Sequence, residues 1–216
     1  MKEPTSNARP PYLTIRSRKH INEIMSRTKE FDQDRALDDA MNLFWERGYE
    51  ATSIQDLVDA TGVQRQSLYD TFGSKHEIFL RTLMRYQALE GNQVADLSKQ
   101  HPEGGLSLVR AVFESTAAQA VHDSRGCFAA NCAAELGTSD EAVAERVRIG
   151  CEGLQTLFEG CLKQARKTGE LGPSSSPPAL AHFLVNAFFG LRFMAKTRPS
   201  KAMVDDVVSV TLAALR

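Results

Sequence analysis

The run Gln64-Arg65-Gln66-Ser67 gathers side chains of the kind that read the edges of base pairs. Arginine bonds bidentately to guanine O6 and N7, and glutamine to adenine N6 and N7, each pairing worth about 1–3 kcal/mol of discrimination. Groups suited to phosphates flank the run. Thr52 and Ser53 place hydroxyls and amide N–H groups where a helix would begin, a ready anion site. Lys75 sits in the same way at the start of a later helix, and Tyr69 can offer its hydroxyl to a phosphate oxygen. Contacts of this second kind fix register on a duplex and carry no sequence information. The chemistry on offer is recognition of double-stranded DNA.

A second reactive group is the thiol of Cys127, which follows Arg125 and opens a helical stretch. A thiol in the first turn of a helix, near a cation, has a lowered pKa and a more reactive thiolate. A free cysteine also serves well as a small buried hydrophobe. Cys132, Cys151 and Cys161 read as core residues, and no Cys-x-x-Cys pair occurs. The histidines are scattered, with no helical i, i+4 pair and no cysteine at ligand spacing, so no metal is expected. The sequence has no phosphate-cradling glycine loop, nucleophile elbow, paired Glu-x-x-His helices or zinc motif. It is therefore expected not to be an enzyme and to need no cofactor.

The reading residues must be held by helices, and the apolar pattern supplies them. Leu37, Ala40, Met41, Phe44 and Trp45 recur at i, i+3, i+4, i+7 and i+8, the stripe of an amphipathic helix, and Gly48 ends it. Thr52 or Ser53 caps a second helix with Ile54, Leu57 and Val58 inward. Gly62, in Thr61-Gly62-Val63, suits a corner that needs a positive φ, which costs a residue with a Cβ roughly 1 kcal/mol or more. A third helix, from about Gln64 to Phe72, turns Leu68 and Phe72 inward. Its outer surface then offers Gln64, Arg65, Gln66, Ser67, Tyr69 and Asp70. Two short helices joined by a glycine-containing turn are the helix-turn-helix signal. Ser74 and Glu77 form a capping box for a fourth helix, with Ile78, Phe79, Thr82, Leu83 and Tyr86 as its buried stripe.

Residues 100–105 make the next break. Beyond it, helical periods cover 106–122, 127–136, 141–167, 179–196 and 201–215, with a Gly-, Pro- and Ser-rich loop over 169–178. No run of β-branched residues alternates at period two, so the fold class is all-α. The stretch 179–196 is apolar nearly all round, and a helix apolar on every face must be buried on every face. In a chain of this size, that argues for a partner subunit. Phe113, Phe128, Leu136, Leu154, Phe158, Phe183 and Phe189, with the polar Thr116, Asn131 and Asn186, are candidates to line a pocket for a small, mostly apolar molecule. Each phenylalanine alone would as readily fill a core.

The span 34–86 resembles the DNA-binding domain of the TetR (tetracycline-repressor) family. The resemblance is carried by Phe44-Trp-Glu-Arg-Gly-Tyr-Glu-Ala-Thr-Ser53, Ile54-Gln-Asp-Leu-Val-Asp-Ala-Thr-Gly-Val63 and Gln64-Arg-Gln-Ser-Leu-Tyr-Asp-Thr-Phe-Gly-Ser-Lys75, in order and at the family's spacing. It implies an N-terminal three-helix DNA-binding domain and a C-terminal helical domain for ligand binding and dimerisation. It places Gln55, Gln64, Arg65, Gln66 and Ser67 at base-reading positions, and Thr52, Ser53, Tyr69, Thr71 and Lys75 at phosphate-holding ones. Val58 stands where many members have alanine, which would widen the helix pair. Asp70 stands where a neutral or aromatic residue is common, and is expected to turn to Thr71, Lys75 or a cytosine amine.

The family further implies a homodimer whose last two helices pair as a four-helix bundle, with Phe188, Leu191, Val207 and Thr211 expected at the interface. Such a dimer would bind a palindromic operator and be released by an effector. Arg125-Gly-Cys-Phe128 with Ala133-Ala-Glu-Leu136 is similar to the segment in which some TetR members sense electrophiles or oxidants, making Cys127 the candidate thiol sensor.

Residues 1–30 are expected to be a flexible basic arm, 31–76 the DNA-binding domain and 77–216 the ligand-binding and dimerisation domain. The stretch from Met25 to Phe31 would also serve as a start of translation. The formal net charge of −1 is uninformative about nucleic acid; local clustering of basic residues is what counts. No unbroken apolar run of about 18 residues occurs, so no membrane span is expected. With no secretory signal pattern, a bacterial cytoplasm with reduced thiols is the expected setting.

Overall fold

The computed structural model describes residues 31–215, so the expected basic arm and the start at Met25 lie outside the described residues. Those residues form nine α-helices: α1 Gln33–Arg47, α2 Ile54–Thr61, α3 Arg65–Phe72, α4 Lys75–Gln100, α5 Gly105–His122, α6 Phe128–Leu136, α7 Glu141–Thr168, α8 Pro177–Met194 and α9 Lys201–Ala213. A short 3-10 turn, Ala195–Thr197, follows α8, and no strand occurs among the described residues. The helix periods read from the sequence all appear, and the boundary expected after residue 76 falls inside α4, which runs on without a break.

Local chemistry explains the starts and corners of the first four helices. Ser53 caps α2 by accepting from the Asp56 N–H, and the Asp56 carboxylate accepts from the Ser53 N–H in return. Ser74 and Glu77 close the same reciprocal box at the start of α4. Gly62 takes φ +67° between α2 and α3. Leu57, Val63, Leu68 and Phe72 pack inward there, and Ala40, Met41 and Phe44 of α1 join Ile78, Phe79 and Leu83 of α4 in burial. This fixes the angle at which α3 is presented.

α4 then leaves the small domain and packs on α5, α6 and α7. The larger core lies among α5, α7, α8 and α9, built from residues such as Val109, Phe113, Phe158, Leu162, Leu184 and Val204. The stretch Pro177–Thr197 is long and apolar enough to pass for a membrane span by composition. Its residues Ala181, Leu184, Phe188, Leu191 and Arg192 are instead buried against neighbouring helices.

Candidate nucleic-acid interface and effector cavity

The outward face of α3 is built as its sequence pattern requires. Gln64, Arg65, Gln66, Tyr69 and Asp70 are exposed and Ser67 is half-buried, while Leu68 is only 1% exposed. Gln55 is exposed on the neighbouring α2. Two of the glutamines are tethered by acids one turn on: Gln55 Nε2 donates to Asp59 at 2.9 Å and Gln66 Nε2 to Asp70 at 2.7 Å. Asp70 thus turns to Gln66 rather than to Thr71 or Lys75. An acid held there fixes the orientation of the Gln66 amide.

The phosphate-holding set divides. Thr52 has no exposed surface; its hydroxyl donates to the Gly48 carbonyl at 2.6 Å and its N–H to Tyr49 at 3.2 Å. Thr52 therefore locks the corner after α1 and is withdrawn as a side-chain contact to phosphate. The Ser53 hydroxyl is exposed but engaged with Asp56, whose carboxyl is held below its ordinary value chiefly by that hydroxyl. Lys75 places Nζ over the Tyr49 ring, 4.2 Å from its centroid, at the mouth of α4. Tyr69 is 39% exposed, and Thr71 is half-buried.

The apolar cavity lies away from most of the phenylalanines expected to line it. A cavity of about 360 Å³ opens between α4, α6, α7 and α8, with Val94, Val147, Leu154, Leu157, Phe188 and Phe189 among its lining residues. Leu154 and Phe189 are where the sequence placed them. Phe113 and Phe158 stack on each other at 5.8 Å within the core and have no exposed surface. Phe128 belongs to an aromatic cluster with Trp45, Phe79 and Tyr86. Asn131 donates to the Arg125 carbonyl at 3.0 Å, and Phe183 and Asn186 lie on the outer surface. Thr116 lines a smaller cavity of about 220 Å³ with Trp45 and Gln119. Phe113, Phe158, Phe128 and Asn131 are thus structural here, because ring packing and a bond to the backbone claimed them first.

Cys127 does line the larger cavity, but its surroundings differ from those expected. It is the N-cap of α6 and only 4% exposed; its Sγ accepts from the Ala130 N–H at 3.4 Å and from the Tyr86 hydroxyl at 3.4 Å. Arg125 is committed to Asp123, to Asn42 and to the face of Trp45 at 4.1 Å, so it is not the thiol's cation. The arginine that reaches this corner is Arg192, whose partner Tyr86 bonds the thiol, and sequence reasoning missed it. Arg192 donates to the Tyr86 hydroxyl, to Glu90 at 2.9 Å and to Gln119 at 2.6 Å. Burial, with the neighbouring Cys127 adding to it, pushes the Tyr86 hydroxyl well above the ordinary tyrosine value, and burial raises Glu90. Burial also raises the thiol of Cys151, which lines the same cavity, and that of Cys132. The signal available in the sequence was a lone arginine in the apolar run 179–194.

The expected dimer residues are covered by their own subunit. Leu191 has no exposed surface, Phe188 is 8% exposed and lines the cavity, and Thr211 is buried with its hydroxyl on the Val207 carbonyl. Val207 is half-buried. The apolar residues left in the open on α8 and α9 are Phe183, Phe193, Met203 and Val210.

Comparison with known proteins agrees with this architecture. Residues 36–82 match the family described as bacterial regulatory proteins, tetR family, and residues 105–210 match a tetracyclin repressor-like C-terminal domain. The HTH-type transcriptional regulator YezE of Bacillus subtilis is 34% identical over 88% of this chain and 100% of its own. The transcriptional repressor ComR of Escherichia coli is 30% identical over 89% of this chain and 92% of its own. Among solved structures, a cysteine mutant of the regulator CifR complexed with 26-base-pair operator DNA superposes with a TM-score of 0.78, at 30% identity over 88% of this chain and 100% of that one. The chain belongs to the TetR family of DNA-binding transcriptional regulators.

Proposed function

We propose that the protein is a ligand-responsive repressor that binds a palindromic operator as a homodimer and is released when a small, mostly apolar effector, an electrophile or oxidant among them, reaches Cys127. The observation that carries the reading is a continuous route from the thiol to the DNA-binding domain. Tyr86, bonded to Cys127, packs edge-on against Trp45 of α1 at 5.1 Å. From α6, Glu135 accepts the N–H groups of Tyr49 at 3.0 Å and Glu50 at 2.9 Å in the corner before α2. A group added to a thiol that is 4% exposed must displace one of these neighbours. Repression is the role named for the relatives ComR, DhaR and BdcR. Thiol chemistry of this kind fits the reduced interior of a bacterial cell.

On this reading Gln55, Gln64, Arg65, Gln66 and Ser67 read bases, and Ser53, Tyr69, Thr71 and Lys75 hold phosphates. The two α3 helices of the dimer enter successive major grooves, about 34–36 Å apart. The effector favours a spacing that no longer fits, and its differential affinity for the two states bounds the response. A gel-shift titration with DNA upstream of the gene, with and without N-ethylmaleimide, tests it. The wild type is expected to bind and to be released by the reagent, and Cys127→Ser to bind and stay bound. Equal release of both proteins would remove Cys127 from the mechanism, and no binding to any upstream fragment would end the operator reading.

A further inference from the structure

Arg192, at the polar end of the larger cavity, carries a donor without an acceptor. Arg192 is 6% exposed and lines both the larger and the smaller cavity, as does Glu90, so the two meet at this pair. Its Nη atoms are used on Tyr86, Glu90 and Gln119. Its Nε is buried with no partner among the described residues. The indole Nε1 of Trp45, which lines the smaller cavity, is the other buried donor in that position. A buried donor left without a partner loses its hydration for nothing in return, so an acceptor is favoured there.

Charge decides which acceptor. The Arg192 guanidinium is already neutralised by Glu90, with Nη2 and Oε2 2.7 Å apart. A carboxylate brought to this end would meet Glu90 as an uncompensated second anion in a desolvated site, whereas a neutral oxygen would not. Most of the remaining wall is apolar, with Val94, Leu154, Leu157 and Phe189 in it; Gln87 is a polar exception whose amide nitrogen is taken by the Arg146 carbonyl. We propose that the effector is an uncharged carbonyl compound, a ketone or ester with a compact apolar body, whose oxygen accepts from Arg192 Nε while the body lies between α7 and α8. This rests on the reading that the cavity is the effector site, and adds the chemical class. It requires no reaction at Cys127.

The protein has its own reporter, because Trp45 is its sole tryptophan and contacts both Tyr86 and the smaller cavity. The probes are cyclohexyl methyl ketone, cyclohexanecarboxylate and ethylcyclohexane, titrated against the full chain by Trp45 emission. The ketone is expected to shift the emission saturably and to bind at least about tenfold tighter than either of the others, a gap of roughly 1.4 kcal/mol. Glu90→Gln frees the arginine's charge, so the carboxylate is expected to become the tighter ligand. Gly153 lines the cavity with open space where a Cβ would stand, so Gly153→Leu is expected to fill the cavity and abolish ketone binding without a clash.

Equal binding of ketone and hydrocarbon would overturn the role of Arg192. A carboxylate preferred by the wild type would overturn the neutral class. If none of the three binds while N-ethylmaleimide still releases operator through Cys127, the carbonyl inference falls and the proposed function stands. If alkylation has no effect but the ketone binds and releases DNA, the thiol reading falls and this one stands.

Discussion

At the scale of single residues, the proposed reading set differs in how far each side chain is already engaged, Gln55 and Gln66 being tethered to acids. Arg65 is exposed at the first position of α3, so Arg65→Ala removes no packing. Its expected cost is about 1–3 kcal/mol of specific binding with relaxed preference at one operator position, checked by titration against single-base operator variants. An unchanged preference would remove Arg65 from the reading set. Lys75→Ala should weaken binding evenly across those variants and flatten the salt slope by about one. The same residues show what a sequence can and cannot reveal. Gly62 and the Ser74–Glu77 box were legible because each obeys a local rule about backbone angle or capping. Thr52 and Asp70 were misread because their partners, the Gly48 carbonyl and Gln66, are set by the geometry of one finished turn. Arg192 was visible as an anomaly in an apolar run, but its partners lie on α4 and α5, far away in the chain.

At the scale of elements, the proposed release by an effector gives the contact between α6 and the corner after α1 a role in coupling the cavity to DNA binding. Glu135 is the link, accepting two backbone N–H groups, and Gly48 lets it approach: a Cβ at Gly48 would stand 2.9 Å from its carboxylate, at φ +85°. Glu135 is exposed, so Glu135→Ala should leave the fold and operator affinity close to wild type. Its expected effect is on coupling: alkylation of Cys127 should still occur at the wild-type rate, yet release of operator should be largely lost. Full release from the variant would show that α4 and Trp45 carry the signal without α6. The cap of α2 gives a second test, through pH. The Asp56 carboxyl is depressed in the fold, first by the Ser53 hydroxyl. Its contribution is complete above the ordinary aspartate value of 3.8 and is lost as pH falls through the lower folded one. Acid titration should therefore destabilise the wild type more steeply below that value than Asp56→Asn, as read by helical circular dichroism.

At the scale of the whole molecule, α8 and α9 turn outward other residues than those expected at a dimer interface. A helix apolar all round carries no periodic signal to say which side meets its own core. α8 and α9 turn Leu191 and Thr211 into the subunit, leaving Phe193 67% and Val210 70% exposed. Phe183 and Met203 are exposed on the same two helices, and large apolar side chains left in the open point to a partner surface. A second copy related by a two-fold axis would bury them, and only a pair of subunits sets the separation of two α3 helices. Val210→Asp tests this cleanly, because a side chain so open contributes little to the subunit's own core. The variant is expected to keep its helical signal and to elute as a monomer in light-scattering chromatography where the wild type elutes as a dimer. Operator binding should fall to the non-specific level, since one α3 reaches only one half-site. A Val210→Asp protein that stays dimeric and binds its operator normally would place the partner on some other face, and the spacing mechanism of release would go with it.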